Sequence, residues 1–597
     1  MARALSFEQV ADPERMASEI ANRYVEWEMR RAPWIAQKRE LREFIFATDT
    51  HGTSNATLPW KNSVHIPKLC QIRDNLHANY MAALFPNDSP IKWEGDDLSS
   101  ESLEKRKVVE AYINNKLRMS QFRTEISKSV YDFIDYGNAF GVTEYVAEWT
   151  EDPRTGEKIT GYVGPRFRRL SPYDIVFDPT AASFDEAPKI VRSVKTIADL
   201  KADLEDHPEL GYLSSAWERM TETRKKFQGT TSNDYEKSAG FEMDGFSSWL
   251  DYFQSDYVEI LEFHGNFYDV ENDKLLRNHI ITVVDRCHIL RKTPNPAWTG
   301  RANIFHVGWR LRPDNLWAMG PLDNLVGMQY RINHLENAKA DGFDLIIQPV
   351  IKIKGAVEDF DYGPNERIYT GDDGDVEFMR PDTTMLNADT QIAIYEAKME
   401  EMAGAPKQAM GFRTPGEKTA YEVQILENGS NRIFLNKASY FEEMFEEPII
   451  NAMLELGRRN MSVKDIVRVV DDQFGVVEFM TITKEDITAR GKLRPIGARH
   501  FARNANILQN LTQWSNSPLG QDPAINVHFS GKKLAAIVQE LLGLEKFELV
   551  QDNVRVTENA ETTRLMQASQ QMIMEENAPD NAGQMVPPPP QGPTGGA

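Results

Sequence analysis

Cysteine is almost absent: Cys70 and Cys287 are the only two in 597 residues. So widely separated, they offer neither a disulfide framework nor a zinc-ligand spacing, which fits a reducing interior. No apolar run approaches the roughly 18 residues of a membrane span, and the opening MARALSFEQVADPERM lacks the continuous apolar stretch of a leader peptide. A soluble protein with no membrane association is expected. Positive charge is in deficit, with 68 Lys and Arg against 90 Asp and Glu, a net charge of −22. Such a chain is poorly suited to unspecific adhesion to nucleic acid, because phosphate binding is driven by counterions that Lys and Arg displace. Missing too are GxxxxGK[ST], HExxH and GxSxG, so the common ATPase, metalloprotease and hydrolase signatures are excluded. No catalytic residue, metal site or cofactor is expected.

What is present is length and periodicity. At 68.1 kDa, with 41% hydrophobic residues, the chain carries more than one core. Its organising stretch runs from Met319 to Leu456. Leu322, Leu325, Gln329, Ile332 and Leu335 recur at three- and four-residue steps behind Pro321, predicting a helix from Gly320 to about Phe343 with one narrow apolar stripe. Such a helix would be roughly 35 Å long. Asp344 to Lys354 then reads as a strand interrupted at Pro349, with short strands at Glu366 to Tyr369 and Val376 to Met379 around the turn Gly371-Asp372-Asp373-Gly374. Leu386 to Met402 is helical again. Two helices carrying a small sheet at their far end form a stalk, and a narrow stripe on each must be covered by neighbouring copies.

The order of these parts resembles the portal protein, or head-to-tail connector, of tailed double-stranded DNA bacteriophages, in the large form of short-tailed phages. The residues that carry it are Gly320-Pro321-Leu322 with Gln329 and Ile332-Asn333, the strand ending at Pro349, the loop Gly404-Ala405-Pro406-Lys407-Gln408-Ala409-Met410-Gly411, and Thr419-Ala420-Tyr421-Glu422 opening the next helix. It extends in order of elements over roughly Met16 to Phe547. The resemblance implies an α+β portal fold: N-terminal helices and wing over 1–318, a first stem helix over 319–345 and a clip over 346–383. A second stem helix over 384–403, a tunnel loop over 404–417 and a long wing helix over 418–457 follow. A wing return over 458–530, a helical crown over 531–576 and a disordered tail over 577–597 complete it.

The same resemblance implies a ring, a homododecamer, at one vertex of the virion capsid, assembled in the host cytoplasm. Double-stranded DNA would pass through its channel during packaging and ejection. Partners would be the major capsid and scaffolding proteins, the large subunit of the terminase motor, and later the tail adaptor proteins. Lys407, Gln408, Met410, Phe412 and Arg413 would line the channel, with Lys407 and Arg413 as phosphate contacts. The same loop also fits an ordinary helix connection with Met410 and Phe412 packed inward. Asp359, Asp361, Arg367, Asp372, Asp373 and Asp375 would form the clip's docking surface, whose charges steer partners. An acidic ring would let DNA slide without sticking. The alternative is a metal-dependent nucleic-acid-processing enzyme that uses the acidic insert to hold Mg²⁺.

Elsewhere the pattern gives helices from Pro13 to about Ala47, interrupted at Pro33, within Asn62 to Phe85 beginning at Pro67 and ending before Pro86, and as a pair over Ser99 to Tyr136. Gly137 to Gly141 reads as a helix-to-strand turn, since a dinucleotide fingerprint needs the reverse order. Strands are expected at Val142 to Trp149 and Ile159 to Val163, as a pair within Phe167 to Asp178, and at Tyr257 to Tyr268, His279 to Arg291 and Phe305 to Arg310. Thr196 to Trp217 reads as helix and Phe227 to Asp251 as a long loop. His65 and His77 read as ordinary helix residues, and His264, His279, His288 and His306 as sheet residues rather than a metal cluster. Thr419 to Leu456 reads as a long helix kinked near Gly429 and Pro448. A hairpin around Gln473-Phe474-Gly475, a return strand within Ile487 to Leu493, and helices at Ala498 to Trp514 and beyond Leu534 follow. The stretch from Asn577, with its run of prolines, cannot bury a core.

Overall fold

The computed structural model describes residues 14–46, 62, 64–86, 91–95, 100–151, 154–155, 158–228, 255–270, 272–347, 349–355, 357, 367–379, 388–404, 433–461, 464–471, 476–483, 487, 491–495, 497, 511, 534–535 and 538. The chain falls into two compact units, one of residues 1–470 and 477–501, the other of residues 471–476 and 502–597. Of the second, only a few isolated residues are described; those at 511, 534, 535 and 538 are helical, and the rest of the helices expected beyond 498 lies outside the described residues. The fold is α+β.

In the first unit, α1 (Arg15–Phe46) runs unbroken through Pro33, where the sequence predicts an interruption. Trp27 and Arg31 before the proline, and Trp34 and Lys38 after it, are all buried. Packing on both sides of Pro33 outweighs its cost of about 3 kcal/mol. The front half of α1 places Ile20, Tyr24 and Trp27 on a five-stranded antiparallel sheet, ordered β4 (Ile175–Phe177), β5 (Lys189–Thr196), β6 (Tyr257–Asp269), β7 (Lys274–Val284), β8 (His288–Pro294). Side-chain alternation sorts the faces: Leu261 and Phe263 of β6 meet α1, while Val258 and Ile260 meet Leu200 of α5 (Ile197–Asp206) and Met220 of α6 (Ser214–Gln228).

Three expectations fail around this sheet. Phe167 to Asp178 is not a strand pair: Phe167 closes β3 (Lys158–Leu170), whereas β4 joins the other sheet by pairing with β5. The Arg31 guanidinium turns the chain between them, donating to the carbonyl oxygens of Pro172 (2.8 Å), Tyr173 (3.0 Å) and Ile175 (2.6 Å). His279 to Arg291 is two strands, because Asp285 and Arg286 both hold positive φ (51° and 58°) in a tight turn closed by Cys287 N–H on Val284 O. Buried bidentate pairs fix that turn, Arg224 to Asp285 (2.9 and 2.9 Å) and Arg286 to Glu259 (2.7 and 3.0 Å). Thr196 to Trp217 is interrupted at Pro208, where a 3-10 turn, Pro208–Leu210, separates α5 from α6.

A second core is helical. It gathers α2 (Lys68–Leu84), α3 (Ser100–Met119), α4 (Phe122–Asp135) and α9, made of residues 433–441, a π turn Glu442–Glu446, and Glu447–Asn460. The expected irregularity near Pro448 takes the form of this π turn just ahead of it; Gly429 and residues 419–432 lie outside the described residues. α4 gives way at Gly137 (φ 70°) to β2 (Asn138–Glu151), the helix-to-strand turn expected there. β2 pairs with β3 and with β9 (Ile304–Gly308). After β9, β10 (Arg310–Arg312) pairs with β11 (Asn315–Met319). β1 (Ile91–Gly95) pairs with β16 (Gly491–Pro495), so the return strand predicted at Ile487 to Leu493 lies a few residues later and meets a strand the sequence reading missed. β14 (Lys464–Asp471) pairs with β15 (Val476–Thr483), the predicted hairpin.

Candidate functional site

The stalk is built from α7 (Val326–Ile347), the hairpin β12 (Val350–Lys354) with β13 (Asp375–Met379), and α8 (Ala388–Ala403). Its first turn is held from the side. The Asp323 carboxylate accepts the Gly320 N–H at 2.8 Å, one half of a capping box, and a 3-10 turn Asp323–Leu325 leads into α7. Asp344 to Ile347, expected in a strand, instead continue the helix, which stops just short of Pro349. Of the strand expected at Glu366 to Tyr369, Glu366 lies outside the described residues and Arg367 to Tyr369 form no strand; Thr370 bridges to Val357.

The predicted stripe is real, but Leu322, Leu325, Gln329 and Ile332 are fully buried within the chain itself, where the helical core takes them in, rather than left for neighbouring copies to cover. Beside it runs a polar row the sequence reading missed. Gln329, Asn333, Asn337 and Asp341, four residues apart, accept backbone N–H groups of Asn62, Val64 and Ile66, which precede α2, and of Leu69 in its first turn. The Leu69 N–H donates to Gln329 Oε1 (3.3 Å), Ile66 N–H to Asn333 Oδ1 (3.3 Å), Val64 N–H to Asn337 Oδ1 (2.6 Å) and Asn62 N–H to Asp341 Oδ1 (3.1 Å). Four helical residues rise about 6 Å and two extended residues about 6.6 Å, so the repeats stay in step from Asn62 to Ile66; the contact to Leu69 is made three residues on, where α2 has begun. The signal was an amide or carboxylate at every fourth position beside an apolar stripe.

α8 returns antiparallel to α7, since Lys339 near the far end of α7 pairs with Asp389 in the first turn of α8 at 2.5 Å. That hydrogen bond, first among its causes, raises the Lys339 pKa. At the near end Lys68 of α2 meets Glu400 of α8 at 2.7 Å, both side chains buried. α8 is thereby fixed to the helical core as well as to α7.

The hairpin at the far end has two unlike faces. Lys352 lies opposite Glu377 and Lys354 opposite Asp375, with a 2.9 Å ion pair at the first position. On the other face Ile351 lies opposite Phe378 and Ile353 opposite Val376, and Ile353 is 56% exposed. A two-stranded sheet with an open apolar face is marginal alone. Of the candidate docking residues, Arg367, Asp372, Asp373 and Asp375 are exposed. Gly371 O accepts the Gly374 N–H at 2.9 Å, closing the acidic turn. Gly355 (φ 75°) lies so close that a Cβ there would fall 2.2 Å from Asp373 O, which brings Asp372, Asp373 and Asp375 to the tip of the hairpin. Asp359 and Asp361 lie outside the described residues, as do Lys407, Gln408, Met410, Phe412 and Arg413.

Among the described residues no three His, Cys, Asp or Glu converge as a cation site. The sheet histidines are engaged separately: His264 with Glu262 (2.6 Å), His279 with Arg277 O (2.8 Å), His288 with Thr223 (3.2 Å) and His306 with Asn138 (3.0 Å). Burial, and then the nearby Lys189, press the His306 pKa down to about 3, so its ring is neutral. No helix among the described residues is long and apolar enough to cross a membrane. Compared with models of protein families and with curated proteins, the chain matches none of them.

Proposed function

We propose that this chain is the subunit of a phage portal, a ring at one capsid vertex that serves as the channel for genome packaging and ejection. One observation carries the reading. The far half of the stalk and its hairpin expose a run of large apolar side chains, Phe343, Leu345, Ile347, Val350, Ile353 and Met379, with Ile347 67% exposed. Val350 and Met379 lie on one face of the hairpin and Ile353 on the other, and copies placed side by side around an axis would flank the stalk on both sides and cover them. The acidic hairpin tip would then be repeated around the ring as a docking surface for the terminase motor and, later, the tail adaptors. Residues 404–417, expected as the tunnel loop, would supply the few basic channel contacts, Lys407 and Arg413. The net charge of −22 suits walls past which DNA slides.

The test is the mass and symmetry of the purified protein, by native mass spectrometry with negative-stain class averages. A closed ring, predominantly twelvefold and with an axial hole, is expected. A stable monomer or a compact dimer under capsid-assembly conditions overturns the reading.

A further inference from the structure

The hairpin β10–β11 carries positive charge in an acidic protein. Arg310, Leu311 and Arg312 are all exposed. Neither guanidinium makes an ion pair among the described residues, although Asp314 sits in the connecting turn. More positive charge stands beside them. Lys437 of α9 donates to the Trp309 carbonyl oxygen, and its Nζ lies 5.1 Å from the Trp309 ring centroid. The Arg310 guanidinium lies 5.1 Å from the same centroid. Burial and then Arg310 push the Lys437 pKa down. Lys38 is also pushed down, chiefly by burial, and Arg312 adds to that effect against the pull of Asp323 and Asp135. The buried Lys38, paired with Asp323, and the half-buried Lys437 thus both feel these guanidiniums as like charges.

We propose that this hairpin is a contact for the phosphate backbone of nucleic acid, with Arg310 and Arg312 each engaging a phosphate of one strand. Arg310 pairs with Met319 and Arg312 with Asn315 across a bulged register; two residues apart, their backbones are separated by at most about 6.6 Å, an interval close to that between successive phosphates. Guanidinium binds phosphate through two parallel N–H donors, and such contacts position a duplex without reading its sequence. A protein partner would require a buried apolar centre in the interface, and only Leu311 is exposed here to supply one. The contact lies outside the loop 404–417 and does not depend on ring assembly, because a single chain displays the same hairpin.

The test uses the full chain and a short DNA duplex of arbitrary sequence, with fluorescence anisotropy read across a salt series. Removing two phosphate contacts in Arg310→Ala/Arg312→Ala should reduce the slope of log affinity against log salt by about 1.8. Between about 50 and 200 mM salt the unsubstituted protein should therefore lose about 12-fold more affinity than the variant. Arg310→Lys/Arg312→Lys, which retains both charges, should keep the original slope. Three results overturn the proposal: an unchanged slope in the alanine variant with its circular dichroism intact, no binding by the unsubstituted protein at the lowest salt, or displacement of the duplex by polyglutamate at equal charge. The last assigns the hairpin to an acidic protein. Mass measured on the same samples records ring assembly separately, so failure of the portal reading and failure of this one are told apart.

Discussion

Gln329 donates its side-chain N–H to the Ile66 carbonyl oxygen at 2.6 Å and accepts the Leu69 N–H at 3.3 Å, joining α7 to the first turn of α2 across some 260 residues of chain. The Leu69 N–H has no partner within its own helix, as at every helix start. Replacing Gln329 with Met keeps the volume but leaves the Leu69 N–H without its partner and the Ile66 carbonyl oxygen with the Lys68 N–H (2.8 Å). The expected cost is about 1–3 kcal/mol. Urea unfolding should record it, and amide exchange at Leu69 should accelerate more than elsewhere in α2. Unchanged exchange at Leu69 would remove the amide row as the tie between the two helices.

Lys68 and Glu400 are 6% and 4% exposed, so each charge depends on the other. Lys68→Met alone or Glu400→Leu alone strands one buried charge and should cost about 3–5 kcal/mol. The double variant strands neither and should recover most of the loss. Thermal unfolding of the four proteins measures the coupling. Additive losses would mean that the pair is not what fixes α8 to α2.

These two ties also show how far the sequence was legible. The stripe Leu322, Leu325, Gln329 and Ile332 is local periodicity, and all four residues are buried as that periodicity requires. The burial of Asn333 and Asn337 had no local signal, because their partners, Ile66 and Val64, are remote in sequence. The turn at Asp285-Arg286 was invisible for the same reason, since it carries no glycine or asparagine and takes its geometry from Arg224 and Glu259. Pro33 misled in the opposite direction, a local breaker overridden by packing on both sides. At the candidate site, glycines at 371 and 374 were enough to place the acidic turn. The open apolar face of the hairpin emerges only from its register, Ile351 against Phe378 and Ile353 against Val376.

Gly137 and Gly320 touch backbone to backbone. A Cβ on Gly137 would lie 2.3 Å from Gly320 N and 2.4 Å from Met319 C, at a φ of 70° that side chains already disfavour. Gly137→Ala should therefore displace the entry into α7 and leave the protein largely insoluble or strongly destabilised. Gly327→Ala is the control. It lies inside α7 with nothing within 4 Å of its Cβ position, and should stabilise by about 0.5–1 kcal/mol. Equal soluble yield and melting temperature for the two variants would refute the close approach.

Asp132 of α4 is buried against Arg169 of β3, which donates to both carboxylate oxygens at 2.5 and 2.7 Å. Burial raises its pKa from 3.8 to about 6 even so, outweighing the pull of that guanidinium. A folded-state pKa above the unfolded one means that the folded chain holds this proton more tightly. Its contribution to stability is complete below about pH 4 and is lost as pH rises through about 6. Asp132→Asn cannot titrate, so its stability relative to the unsubstituted protein should improve between those two values and stay level above them. Over that window the relative change should be of the order of 3 kcal/mol. Paired urea titrations at half-unit pH intervals would trace the difference. If it falls with rising pH instead, Arg169 dominates the site and Asp132 is held ionised in the folded chain.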